Sequence, residues 1–252
     1  MPSRFHNAAL ALLGVDYAVD PYATLALEAR ARTFGITFPA SFIEWCGMRD
    51  GLTLLQDTSH CDEPVPIAKL GNPMQWRWAE DRDLLRDDLL VFMVENQGVC
   101  VWAVRLNAGD DPPVVVARDP DLAWRSCAEH FSTFIDCQAW AHLHFSPHSD
   151  GLLVAAQDVP LRPADLAHLR GRYAERATTH GWPGDNQYRF EGNDARVLIW
   201  DAEDQADWWI SSPTEDGLAR TLSVLWECGD LRGSLWTNDD RAERVLESLR
   251  RR

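Results

Sequence analysis

The order of hydrophobic and polar positions changes character along the chain. Between Pro21 and Phe34 small and apolar residues recur at helical spacing, with Leu25, Ala26, Ala29 and Thr33 on one face. Asp20 reads as the N-cap of this helix, Pro21 as its first residue and Gly35 as its left-handed stop. Pro39 opens a shorter helix from Ala40 to about Met48, in which Phe42, Trp45 and Cys46 share a face, and Asp50-Gly51 ends it in a turn. From Leu52 to Asp88 the periodicity weakens, and Pro64, Pro66, Gly71 and Pro73 predict an irregular region.

Order returns at "DLLVFMVENQGVCVWAVRL", Asp88 to Leu106. Leu90, Phe92 and Val94 alternate with Val91 and Met93, all apolar, which predicts a strand buried on both faces. Asn96-Gln97-Gly98 turns the chain into a second strand, "VCVWAVRL", and "PPVVVAR" supplies a third behind the Asp110-Asp111-Pro112-Pro113 turn. A helix is predicted from about Ser126 to Trp140, with Cys127, His130, Phe131, Phe134 and Ile135 on its apolar side. Further on come a short strand "GLLVAAQ", a helix from Pro163 to near Gly181, and a meander of "QYRFE", "ARVLIWD" and "ADWWISS". A helix opened by Pro213, a strand "GSLW" and a terminal helix capped by Asp239 complete the pattern.

Composition adds a bias of charge. The 252 residues carry a formal net charge of −15, which repels nucleic acid in the absence of a basic patch and favours a basic partner. The six cysteines form no CxxC pair, and Cys46, Cys100 and Cys127 sit in apolar patterns as buried thiols do. The apolar run from Ala8 to Val15 is short for a secretion signal, and no stretch has the length of a membrane span. The expectation is a reduced, cytoplasmic protein without a membrane or nucleic-acid partner.

Several constellations are candidates for chemistry or binding. Cys46 lies mid-helix on the apolar side and reads as core, and Glu44 falls on the opposite face, where a solvated residue is expected. His142, His144 and His148 are the best candidates for a metal, because on a strand the first two share a face; His60, Cys61 and Asp62 form a second set. Trp76 and Trp78 precede the acidic run Glu80, Asp81, Asp83, Asp87 and Asp88, combining anchor residues with steering charge, and Asp110 and Asp111 either extend that surface or cap their turn. Trp208 and Trp209 are adjacent on a strand, so one faces inward and the other outward, as an anchor or beneath a helix.

Two stretches and their spacing resemble a known family. "FGITFPASFIEWCGMRDG", with the helix that precedes it, resembles the signature of the SUKH superfamily of bacterial immunity proteins, fungal glucan-synthesis regulators and related modules. "FMVENQGVCVWAVRL…DPPVVV" is similar to the core hairpin of that superfamily, with Trp102 as its aromatic, and "FSTFI" to its closing helix. The likeness covers residues 20–140; Asp50-Gly51 stands where the family usually has Gly-Gly or Asn-Gly. The resemblance implies an α+β fold with a central, largely antiparallel sheet flanked by helices, and binding to a cognate toxin or regulatory partner without a shared catalytic residue.

The resulting expectation is a SUKH-like domain over 1–145 and an α/β extension over 146–252. It is a non-catalytic immunity protein that needs no cofactor or metal and occludes a basic protein such as a secreted toxin domain. Trp76, Trp78, Glu80, Asp81, Asp83, Asp87, Asp88, Asp110 and Asp111 form the contact surface. A metal-dependent hydrolase using the histidines and a scaffolding module are the alternatives.

Overall fold

The computed structural model describes residues 3–58, 62–76, 79–82, 84–118, 123–145, 151–192, 194–228 and 231–251. The fold is α+β with antiparallel sheets, divided into two compact units, Met1–His142 and Leu143–Arg252.

The first unit begins with α1 (Asn7–Leu13), α2 (Pro21–Phe34), α3 (Ala40–Cys46) and α4 (Gly51–Thr58). Asp20 caps α2 by accepting from Tyr22 N at 2.8 Å, and Gly35 ends it at φ 63°. The face of α2 differs from the one expected: Leu27 is buried and Leu25 is 58% exposed. Ala23, Leu27, Arg30, Ala31 and Phe34 form the packed side, and Arg30 reaches across to the Leu70 carbonyl at 2.9 Å. The anchored arginine and the single large leucine decide the rotation of a helix that otherwise offers mostly alanine.

α4 occupies a stretch whose sequence reads as irregular. Asp50 takes φ 61° and reverses the chain, but Gly51 then starts a helix at once, burying Leu55 and Thr58. A Cβ at residue 51 would stand 2.0 Å from the Trp45 carbonyl oxygen, so only glycine permits α3 and α4 to meet this closely.

The sheet follows with β1 (Glu63–Pro64), β2 (Met74–Trp76), β3 (Ala79–Arg82), β4 (Leu89–Val94), β5 (Val101–Arg105), β6 (Val114–Ala117) and β7 (Arg125–Ala128). Its order is β1-β4-β5-β6-β7, all antiparallel, while β2 and β3 pair with each other. Arg125–Ala128 is thus a strand where a helix start was expected. α5 begins at Phe131 and runs to Phe145, beyond Trp140. The capping acceptor for α5 comes from a distant turn: Asp111 Oδ1 accepts from Ser132 N at 3.0 Å.

Alternation along the strands builds both faces. On one, Phe92 and Trp102 meet the helices: Phe92 makes edge contacts with Phe131 at 5.3 Å and Phe134 at 5.5 Å, and Phe42 of α3 joins at 6.3 Å. On the other, Leu84, Leu89, Val101, Ala103, Val115 and Ala117 form a second cluster, with Val91 and Val94 partly buried against it. A register shift between Val91 and Met93 is the bulge that returns Val94 to the face of Val91.

The second unit contains β8 (Leu152–Val159), α6 (Pro163–Arg170), β9 (Ala174–Glu175), β10 (Thr179–His180), β11 (Asn186–Glu191), β12 (Arg196–Ala202), β13 (Gln205–Ser212), α7 (Glu215–Leu225), α8 (Leu231–Ser234) and α9 (Asp240–Arg250). The sheet order is β10-β11-β12-β13-β8, with β9 also on β11. The expected meander is present as β11–β13. The helix at Pro163 stops at Gly171 rather than near Gly181, and "GSLW" is divided between α8 and an isolated bridge from Trp236 to Ala155. Leu218, Leu222, Leu225, Ala242 and Leu246 pack on the sheet face that carries Trp208 and Ile210. Asp239 caps α9 through Arg241 N at 2.7 Å.

Candidate functional site

A groove opens along the outer side of β4, where β1 leaves the sheet early. β1 pairs with β4 only at Glu63–Val94 and Pro64–Met93, after which Val65 N donates to Phe92 O at 2.8 Å. After Pro66 the chain leaves the sheet through a 3-10 turn at Ile67–Lys69, where Lys69 N donates back to Pro66 O at 2.7 Å instead of extending the pairing. A second 3-10 turn, Leu84–Asp87, leads back into β4. The space between holds about 740 Å³, with Pro66, Asn72, Leu85, Leu90 and Val91 among its lining. Gly71, at φ 78°, is one wall; a Cβ there would stand 3.1 Å from the Phe34 ring and 3.2 Å from Leu85.

The acidic residues proposed from sequence distribute unevenly around this groove. Asp87 and Asp88 are exposed at the end where β4 begins. Asp88, at φ 57°, accepts from Asn107 Nδ2 at 2.6 Å. Glu63 is exposed at the other end, and Lys69 and Arg86 are exposed cations near the rim among the described residues. Trp76 lies in β2 and Glu80 and Asp81 in β3, while Trp78 and Asp83 lie outside the described residues. Asp110 and Asp111 have structural partners. Asp110 pairs with Arg4 at 3.1 Å, and Asp111 holds the first turn of α5 through the Ser132 amide and hydroxyl.

At the upper end of the groove a carboxyl is buried. Asp62, just before β1, accepts from Asn96 N at 3.4 Å, and Glu95 accepts from Gln97 N at 2.8 Å and Val99 N at 3.2 Å. Burial pushes the Asp62 carboxyl up to about 7; the Asn96 amide opposes the shift and the Glu95 charge adds to it.

The remaining candidates are placed as follows. Cys46 is buried as the last residue of α3 rather than mid-helix, and burial raises its thiol, the opposite of what a nucleophile needs. Glu44 is not the solvated residue expected. Its carboxylate accepts from Ser3 Oγ at 2.5 Å, Arg4 N at 2.8 Å and Phe5 N at 2.8 Å. Partial burial alone would raise this carboxyl; the donors from Ser3, Phe5 and Arg4, with His6 nearby, outweigh it and hold the group below its usual value. The clamp seats His6 against Trp45 and Phe131, with ring centroids at 5.1 and 5.9 Å, and His6 Nε2 donates to Ser41 O at 2.9 Å.

His142 and His144 lie on α5, not on a strand, and residues two apart on a helix do not share a face. His144 is buried and lowered to about 3, by burial first and then by Arg196 and Arg189. His148, His60 and Cys61 lie outside the described residues. Among the described residues no group of three His, Cys, Asp or Glu side chains is placed to hold a metal ion. Trp208 faces the core, and Trp209 faces the opposite side, where it meets Phe145 at 5.0 Å and Trp200 at 5.2 Å.

Sequence reasoning missed Arg189. It is 4% exposed and donates to the carbonyls of Gln187 at 3.0 Å and Ala177 at 3.3 Å and to Thr179 Oγ1 at 3.0 Å. The alternation of "QYRFE" carried the signal, since Tyr188 and Phe190 point one way and Gln187 and Arg189 the other. No family model, curated protein or solved structure matches the chain, and no helix among the described residues is long and apolar enough to cross a membrane.

Proposed function

We propose that this is a non-catalytic binding protein, a SUKH-like immunity protein that neutralises a basic toxin domain by covering its working surface. The observation that carries the reading is the coherence of the resembling segments. The α2–α3 stretch, the β4–β5 hairpin and the Phe131–Ile135 start of α5 lie in one unit, in the order the family has, around an antiparallel sheet flanked by helices. The −15 charge supports a basic partner. Cys46 and His144 are buried, the thiol raised and the imidazole held neutral.

Co-expression with the product of the neighbouring gene, expected to be a toxin domain, tests the reading. The expected result is cell survival and a stable complex of the two proteins. Reversing Asp81, Asp83, Asp87 and Asp88 to lysine weakens that complex and flattens its salt dependence while the fold persists. Absence of both rescue and complex overturns the reading. So does stoichiometric zinc that is lost on His142→Ala with His144→Ala, the result the metal-dependent alternative expects.

A further inference from the structure

We infer that the vacated edge of β4 is a strand-addition site, which receives an extended, apolar segment with basic flanks from the partner protein. The inference rests on the binding-protein reading and specifies how the partner is held. In an antiparallel ladder, alternate residues direct their N–H and C=O toward the same neighbour. Leu106 N donates to Asp88 O at 2.9 Å, and Leu90 stands opposite Val104 of β5. Asp88 and Leu90 therefore face β5, and Leu89 and Val91 turn both backbone groups the other way, toward the groove.

No described residue takes up those groups. The pairing of β1 with β4 stops at Met93, Val65 reaches only Phe92, and β2 and β3 pair with each other. Among the described residues, two donors and two acceptors thus line one stretch of sheet edge, spaced to match alternate residues of an incoming strand. Such an edge in a stable protein is normally blocked or paired. Here it opens into about 740 Å³ of groove whose floor includes Leu90 and Val91.

The occupant follows from that chemistry. A helix has no backbone groups to offer the edge, whereas an extended segment satisfies all four and lays alternate side chains on the apolar floor. The rim carries Asp87 and Asp88 at one end and Glu63 at the other, against Lys69 and Arg86, within a chain of net charge −15. Basic residues flanking the apolar segment suit that field.

The test is a displayed library of random short peptides, selected on the whole protein. Recovered peptides are expected to be extended, apolar and basic at their ends. Binding should slow hydrogen exchange at the Leu89 and Val91 amides and leave Leu90, already bonded to β5, unchanged. Val91→Pro removes one outward donor without touching the β5 ladder, and is expected to weaken binding about tenfold, the loss that an unmade hydrogen bond brings. If that variant does not fold, the same loss is expected from peptides methylated on alternate backbone nitrogens, against the unaltered protein. Recovery of no peptide, or binding indifferent to both changes, overturns the inference. Co-expression separates it from the function itself: rescue by wild type and by folded Val91→Pro alike sinks the edge and leaves toxin neutralisation standing, whereas no rescue by wild type sinks the reading.

Discussion

β4 and β8 each have a side on which their sheet runs out, and the chain treats the two sides in opposite ways. Along β8, Ala155 exchanges a pair of backbone bonds with Trp236, N–H to carbonyl at 2.9 and 2.8 Å, and Thr237 Oγ1 donates to Leu153 O at 2.6 Å. A single bridge covers Ala155, and the hydroxyl covers the carbonyl of Leu153. Along β4 the closing strand is β1, and the turn at Ile67–Lys69 carries the chain away before it reaches Val91. The difference shows that edge protection is decided residue by residue. The early exit of the covering segment leaves a stretch of backbone open while Phe92, a single residue away, is paired.

The largest effect is expected beneath the closed edge. Trp208 stands opposite Ala156 of β8 and is 1% exposed. Trp208→Ala should lower unfolding free energy by about 3–5 kcal/mol, read from urea denaturation. Trp209→Ala, half-buried on the other face, should cost less, and the reverse order would invert the assignment of faces.

The attachment of β1 to the open edge is expected to respond to pH. The folded-state carboxyl of Asp62, pushed up to about 7, lies above its ordinary value of 3.8, so folding favours the neutral form. That contribution is complete below about pH 4 and is lost as pH rises through about 7, up to about 4 kcal/mol in all. Asp62→Asn should flatten the dependence across this window. A wild type equally stable in urea at about pH 5 and about pH 8 would show that the group does not titrate as described.

A matched pair of prolines compares the edges directly. Ala155→Pro deletes a donor and leaves the Trp236 carbonyl unpaired, whereas Val91→Pro deletes a donor with no described acceptor. The first should destabilise by about 1–3 kcal/mol more than the second in thermal or urea unfolding. Equal losses would mean that the β4 edge is already occupied.

Much of this fold is legible in the sequence where a local rule applies. Asp20, Gly35 and Asp239 mark helix ends because capping is decided within a few residues, and the apolar run of β4 announces a strand buried on both faces. What escapes depends on partners distant in sequence. α4 hides behind Asp50-Gly51 because the glycine serves the approach to Trp45, not only the turn. Arg125–Ala128 reads as the start of α5 because its cap, Asp111, belongs to another turn. Glu44 looks solvated until residues 3–5 fold back onto it. The groove is the extreme case: the end of β1 is marked in the sequence, but that it leaves Leu89 and Val91 uncovered appears only in the paired sheet.

The Trp200–Trp209 pair has an optical consequence. Indole rings 5.2 Å apart and tilted by 60° couple their transition dipoles. The second unit should therefore carry an exciton couplet in the far-ultraviolet circular dichroism, one that vanishes on Trp200→Phe or Trp209→Phe. That signal belongs to the β12–β13 pairing alone, so it can follow the melting of the second unit while the rest of the spectrum reports on the whole chain.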